Sequence, residues 1–215
     1  MNGRVDTAKW INNISKDPRD AEEEYDRISA CYDTDTNAKG YMAPRYVGEI
    51  LADYVPDKKG MILDVGCGTG LVGSELNCRG FSNITGIDIS ANILKEAESK
   101  KVYAQTMKHN LLEPFPFEES SFEAVVCAGV FSRFDESEIH DILNEFSKVT
   151  RDEGFMVFTH REDLINPLLI EKIKEREEMR IENITDPLPY FLMDENYKDI
   201  YIRCFVLQKH TSNGD

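Results

Sequence analysis

Apolar positions along the chain alternate between short continuous runs and helical spacing, and that alternation lays out the elements. Met61–Val65 is an apolar run that predicts a buried strand, and Phe122–Ala128 is another, ended by Gly129. Ile84–Asp88, Tyr103–Lys108 and Phe155–Thr159 are shorter strand candidates, and Ile181–Thr185 and Ile200–Leu207 are the last two. Between them the spacing becomes helical. Val47, Ile50, Leu51 and Val55 share one face of Tyr41–Val55, with Pro44 in a first turn that tolerates it. Helices are also predicted over Leu71–Arg79, with Gly80 as C-cap, over Ala91–Ser99, capped by Ser90, over Asp135–Val149 and over Leu168–Met179. Thr150–Gly154 reads as a turn, and His109–Phe117 as a loop broken by Pro114 and Pro116.

Strand and helix thus alternate five times before a final helix and two strands with no long crossover between them. The first part demands a parallel sheet covered by helices on both faces, and the last pair is a hairpin that turns one strand antiparallel. The N-terminal stretch is polar and acidic, with Trp10, Ile11 and Ile14 as its first apolar anchors. Tyr25, Ile28 and Tyr32 fall on one face of a short helix, either docked by its aromatic side or placed as a lid. The closing HTSNGD is expected to fray.

Candidate chemistry centres on the turn after the first strand. Asp64 is followed by Gly66, Cys67, Gly68 and Gly70, and the next helix begins at once. Such a turn lets a ligand approach the backbone, because no Cβ stands in the way. Gly68, Gly70 and Gly73 also satisfy the dinucleotide pattern G-x-G-x-x-G, so the glycines alone do not choose a ligand. Asp64 does: a carboxylate at that turn repels a pyrophosphate and attracts a cation. About 20 positions on, Asp88 stands at the tip of the next strand, placed to accept ribose hydroxyls.

Residues Asp64–Gly70, DVGCGTG, resemble the first motif of the class I S-adenosylmethionine-dependent methyltransferases, whose cofactor carries an ammonium and a sulfonium. The combination of YDRISACYD, YMAPRYV and ILDVGCGTGLVGSEL is similar, within that superfamily, to the methyltransferase-like family of the Williams-Beuren syndrome region. The resemblance covers about Tyr25–Lys209. It implies an α/β, Rossmann-like, seven-stranded sheet in the order 3-2-1-4-5-7-6, last strand antiparallel, with S-adenosylmethionine as cofactor. It also implies a helical cap over 1–42, a methyltransferase domain over 43–209 and a disordered tail over 210–215. Position by position, it gives Asp64, Gly66 and Gly68 to the methionine end, Cys67 and Gly70 to the cofactor turn, Asp88 to the ribose, and Ile89, Asn110 and Leu111 to the adenine. Cys127 and Ala128 fall near the sulfonium, and Tyr32 covers the cofactor.

The acceptor side is open in this reading. His160, Arg161 and Arg133 emerge after strands, and Tyr41, Tyr190 and Phe191 are aromatic candidates beside them. No N-P-P-Y-like signature of amino-group methylation occurs, and no metal-ligand spacing either. A net charge of -15 opposes polyanion partners, so a small-molecule acceptor is expected, with a basic protein as the alternative. A dehydrogenase-type dinucleotide binder and a non-catalytic cofactor-binding module are the competing classes.

The five cysteines are odd in number and scattered, which fits reduced thiols. No run approaches the roughly 18 apolar residues of a membrane span, and no apolar leader opens the chain. A monomer in the cytoplasm is the expectation, with the nucleus left open.

Overall fold

The computed structural model describes residues 17–210. Trp10, Ile11 and Ile14, and the expected frayed end beyond His210, lie outside the described residues. His210 itself is tied down, its N–H donating to Glu178 O at 2.9 Å.

A long helix α1 (Pro18–Lys39) leads, 22 residues where a short one was expected. It stops at Gly40, whose φ of +68° is the left-handed turn that closes a helix, and the Tyr41 N–H returns to Thr36 O. Helix α2 (Ala43–Tyr54) follows, then β1 (Ile62–Val65), α3 (Leu71–Cys78), β2 (Ile84–Asp88), α4 (Ala91–Ser99), β3 (Gln105–Lys108) and β4 (Phe122–Cys127). Next come a 3-10 turn at Phe131–Arg133, α5 (Glu136–Val149), β5 (Thr150–Arg161), α6 (Pro167–Lys174), β6 (Met179–Ile184), β7 (Leu188–Pro189) and β8 (Tyr201–Lys209).

The sheet runs β3-β2-β1-β4-β5-β8-β6, with β7 also paired to β8. Strands β1 to β5 are parallel, and β8 is antiparallel to β5, β6 and β7. This is the expected Rossmann-like order with one strand more. The eighth strand is two residues inside the proline-containing segment, where Leu188 pairs Ile202 and Pro189 pairs Tyr201. Two boundaries also differ. Thr150–Gly154 is not a free turn but the start of β5, pairing at Thr150 with Phe122 and bulging out before Phe155 meets Ala124. The charged helix ends at Lys174 because Met179 is already buried in β6.

Helices cover both faces. Val47 and Leu51 of α2, Val55 at its C-cap, and Val72 and Leu76 of α3 pack one side of the sheet. Ile142, Leu143 and Phe146 of α5 and Leu169 and Ile173 of α6 pack the other, against Phe158 and Phe205, which stack at 4.8 Å. Each large side chain fully buried in this way contributes about 1.5–3 kcal/mol. Because β1 is flanked by β2 on one side and β4 on the other, the connections leave it in opposite directions and open a crevice at its carboxyl end.

Candidate cofactor site

A cleft of about 750 Å³, its open mouth included, occupies that crevice. Its floor is the β1 turn at Gly66 and Gly68, its sides are Asp88–Ile89, Asn110–Leu111 and Ala128–Val130, and Arg133 and Phe134 close one end. Ala21, Tyr25 and Tyr32 of α1 form the roof. Docked helix and cover are therefore one structure.

Asp88 is the best-defined polar group in the cleft. Its Oδ2 accepts the Gly68 N–H at 2.9 Å and its Oδ1 the Ser90 N–H at 3.0 Å, so the carboxylate is fixed with its remaining lone pairs available to a ligand diol. Burial raises its pKa, and the two backbone hydrogen bonds oppose that rise.

The glycines of the turn divide by what faces them. A Cβ on Gly68 would meet nothing within 4 Å, so this is where backbone lies open to a ligand. A Cβ on Gly66 would fall 2.5 Å from Val130 Cγ2. Gly70 and Gly73 are closed off by Tyr103, whose hydroxyl also accepts the Gly73 N–H at 3.2 Å. The first turn of α3 therefore spends that N–H on the protein, and Asp64 lies buried beside it, which argues against a pyrophosphate there.

Of the residues expected at the cofactor, Tyr32, Gly66, Gly68, Asp88, Ile89, Asn110, Leu111 and Ala128 line the cleft. Asn110 does so with its Oδ1 already accepting the Leu112 N–H at 3.2 Å, which leaves one oxygen lone pair and the amide donors for a base. Asp64, Cys67, Gly70 and Cys127 do not line it. Asp64 sits beneath the turn, hydrogen-bonded by Tyr103, and Cys127 is core between the sheet and α5.

Of the acceptor candidates, Arg133 lines the cleft and lies 4.8 Å over the Tyr25 ring. His160 and Arg161 stand off the cleft wall. His160 is buried with its Nδ1 3.0 Å from Arg161 O, and Arg161 pairs with Asp163 at 2.7 Å. Tyr41 and Tyr190 stack edge to face behind Gly129, where a Cβ would come 2.3 Å from the Tyr41 hydroxyl.

Two residues that hold the roof went unread in the sequence. Asp26 accepts from Ser90 Oγ and from the Asn92 N–H at 3.1 Å, adding to the cap of α4. Asp33 accepts from Thr69 Oγ1, inside the glycine turn, and pairs with Lys100 at 2.6 Å. The signal was present as a repeated Tyr-Asp pair seven residues apart, Tyr25-Asp26 and Tyr32-Asp33, which puts both tyrosines and both carboxylates on matching helical faces.

A methyltransferase-domain family profile matches residues 62–154. Among named relatives, the chain is 38% identical to human methyltransferase-like protein 27 over 111 residues, half of this chain and 45% of that one. It is 36% identical over 70 residues to the bovine 18S rRNA (guanine-N(7))-methyltransferase, a third of this chain and a quarter of that one. The chain spans about half the length of the first of these relatives. A TehB-like S-adenosylmethionine-dependent methyltransferase from Corynebacterium glutamicum shares the fold, with a TM-score of 0.67 at 17% identity, over 87% of this chain and 98% of that one. With the strand order, the glycine turn and the Asp88 contact in agreement, residues 62–154 carry a methyltransferase domain, and the fold around them is that of the class I S-adenosylmethionine-dependent methyltransferases.

Proposed function

We propose that the cleft binds S-adenosylmethionine and that the chain transfers its methyl group to a small-molecule acceptor. The observation that carries the cofactor reading is the Asp88 carboxylate, oriented by Gly68 and Ser90 beside the only one of the turn's glycines with open space at its Cβ position. In this reading Asp88 accepts the ribose hydroxyls, Ile89 and Leu111 sandwich the adenine, Asn110 meets its edge, and Gly66, Gly68 and Ala128 border the methionine end. Bound cofactor supplies an electrophilic methyl on a good leaving group. The chain's own contribution is then to align and enclose, which by itself lowers a bimolecular barrier by several kcal/mol. A base is required only for an acceptor that arrives protonated.

The small-molecule reading rests on the roof. With Ala21, Tyr25 and Tyr32 of α1 among the residues that line the cleft, an acceptor would enter beside a covering helix, which suits a small molecule better than a folded macromolecule. The charge of -15 further opposes an RNA backbone, even though three of the relatives the chain matches are named for 18S rRNA.

Titration calorimetry of the purified chain with S-adenosylmethionine, S-adenosylhomocysteine and NADH tests the cofactor step. Binding of the first two and not the third, lost in Asp88→Ala, is expected, and turnover is then sought by mass spectrometry in a metabolite extract and in a protein extract. Binding of NADH instead overturns the reading.

A further inference from the structure

Behind the glycine turn lies a polar cluster that forms no part of the cleft wall. Tyr103, from the segment between α4 and β3, donates its hydroxyl to Asp64 Oδ2 at 2.7 Å and accepts the Gly73 N–H at 3.2 Å. Gly73 is in the first turn of α3, where an N–H has no partner inside the helix. The chain makes room for this one ring at three places. A Cβ would fall 2.4 Å from its Cζ at Gly73, 2.9 Å from its Cε2 at Gly70, and 3.0 Å from its Cε1 at Gly86. The other carboxylate oxygen, Asp64 Oδ1, is buried with no hydrogen-bond partner.

A carboxylate in that state is poised between its two charge forms. Burial pushes its pKa up to about 7; the Tyr103 hydroxyl, and after it the Gly73 N–H, favour the charged form and hold it from rising further, while the nearby Asp88 charge works with burial. The groups acting on one another here are Tyr103, Cys67 of the turn, Asp88 of β2 and Cys127 of β4, none of them positive, and Arg133 acts on Asp88 but is not among the groups that act on Asp64. A cation placed on the turn two residues away would supply what the site lacks. Asp64 is therefore not a contact of the ligand but a charge set beneath it.

We propose that Tyr103 is a positioning residue for the cofactor: its hydroxyl fixes the Asp64 carboxylate against the first turn of α3 and sets the negative charge presented from below to a cationic ligand. The proposal rests on the reading of the cleft as an S-adenosylmethionine site. By linkage, a ligand that prefers ionised Asp64 binds more tightly as Asp64 deprotonates, and losing the Tyr103 hydroxyl moves that change to higher pH.

Tyr103→Phe keeps the ring that fills the three glycine positions and removes only the hydroxyl. Two readouts are compared with wild type and with Asp64→Asn. The first is the carbon-13 NMR titration of the aspartate carboxyls in the ligand-free protein, with Asp64 assigned by its loss in Asp64→Asn. The second is the calorimetric Kd for S-adenosylmethionine from about pH 5.5 to about pH 7.5, each value corrected for the ligand's own α-ammonium, which begins to titrate at the top of that range and does so equally for every variant.

The expected result is an Asp64 titration raised by about one pH unit in Tyr103→Phe. A Kd deficit should go with it, smallest at the alkaline end, where both free proteins already carry an ionised Asp64, and growing toward about tenfold as pH falls, because the variant must release its Asp64 proton across about one further pH unit to bind. Asp64→Asn should bind weakly with little pH dependence, and adding Tyr103→Phe to it should change nothing further. A deficit that is the same at every pH, or an unmoved Asp64 titration, overturns the role of Tyr103. Failure of wild type to bind S-adenosylmethionine at any pH overturns the cofactor reading, and the proposal with it. The ligand-free titration tells these failures apart.

Discussion

The Asp88 carboxylate reaches back to the Gly68 N–H at 2.9 Å, joining the end of β2 to the turn after β1. This contact lets two strand ends form one edge of the cleft: the glycine that leaves backbone open also fixes the acid proposed above to hold the ligand's sugar. Its other oxygen is occupied by the Ser90 N–H at the cap of α4, so both flanking elements depend on it.

Asp88→Asn separates shape from charge. The amide keeps the size, but one of its ends becomes a donor facing a backbone donor, and a buried donor left without an acceptor costs about 1–3 kcal/mol. The expected outcome is a loss of S-adenosylmethionine affinity of about tenfold or more by calorimetry, together with a lower Tm. An affinity equal to wild type would remove Asp88 from the site.

Much of this edge is written locally in the chain. Met61–Val65, the glycine cluster and Asp88 are neighbours in sequence or one strand apart, so periodicity and turn chemistry reach them. Asp64 was harder to place. A strand buried on both faces has no alternation to say which way a side chain points, and only the fold shows Asp64 turned toward Tyr103 rather than the cleft. Strand β7 is too short to carry a period, and Thr150–Gly154 has turn composition because it bulges while still pairing. Asp26 and Asp33 find their partners 64 and 36 residues away, a distance over which no local pattern speaks.

The roof should loosen when its clamp is cut. Asp33→Ala removes both the Thr69 hydrogen bond and the Lys100 ion pair. Asp33 and Lys100 are part-exposed, so the ion pair adds little, while losing the acceptor of the buried Thr69 hydroxyl costs about 1–3 kcal/mol. The clearer effect is local. Amide exchange along α1 should accelerate while α5 keeps its protection, and S-adenosylmethionine should dissociate faster because Thr69 belongs to the turn. Unchanged exchange in α1 would show that the aromatic face alone holds the helix.

Gly129 marks where the cleft meets the tyrosine pair. Its φ of +74° is left-handed, and an added methyl would lie 2.3 Å from the Tyr41 hydroxyl and 3.2 Å from that of Tyr190. Backbone strain of about 1–2 kcal/mol and overpacking of about 1–3 kcal/mol then add. Gly129→Ala should lower the Tm by several degrees in a thermal melt. Tyr41→Phe in the same background removes the colliding oxygen and should restore part of the loss; no recovery would place the cost in the backbone alone.

Two buried groups should tilt stability with pH in opposite directions. Asp64 has its pKa raised by burial, from 3.8 to about 7, so between those values the folded state holds a proton that the unfolded state has released. Stability from this group is therefore lost as pH rises from about 4 to about 7 and is level above. His160 is the reverse case. Burial lowers its pKa below 6.5, so as pH falls through 6.5 the unfolded state takes up a proton that the folded state refuses, and stability is lost downward until the folded-state pKa is passed. Taking differences of Tm against wild type at each pH cancels the groups the variants share. The Asp64→Asn difference should climb between about pH 4 and pH 7 and then plateau, whereas the His160→Gln difference should grow only below about pH 6.5. A flat Asp64→Asn difference would mean that the carboxylate is ionised in the folded protein throughout. The Tyr103 hydrogen bond would then outweigh the burial that opposes it.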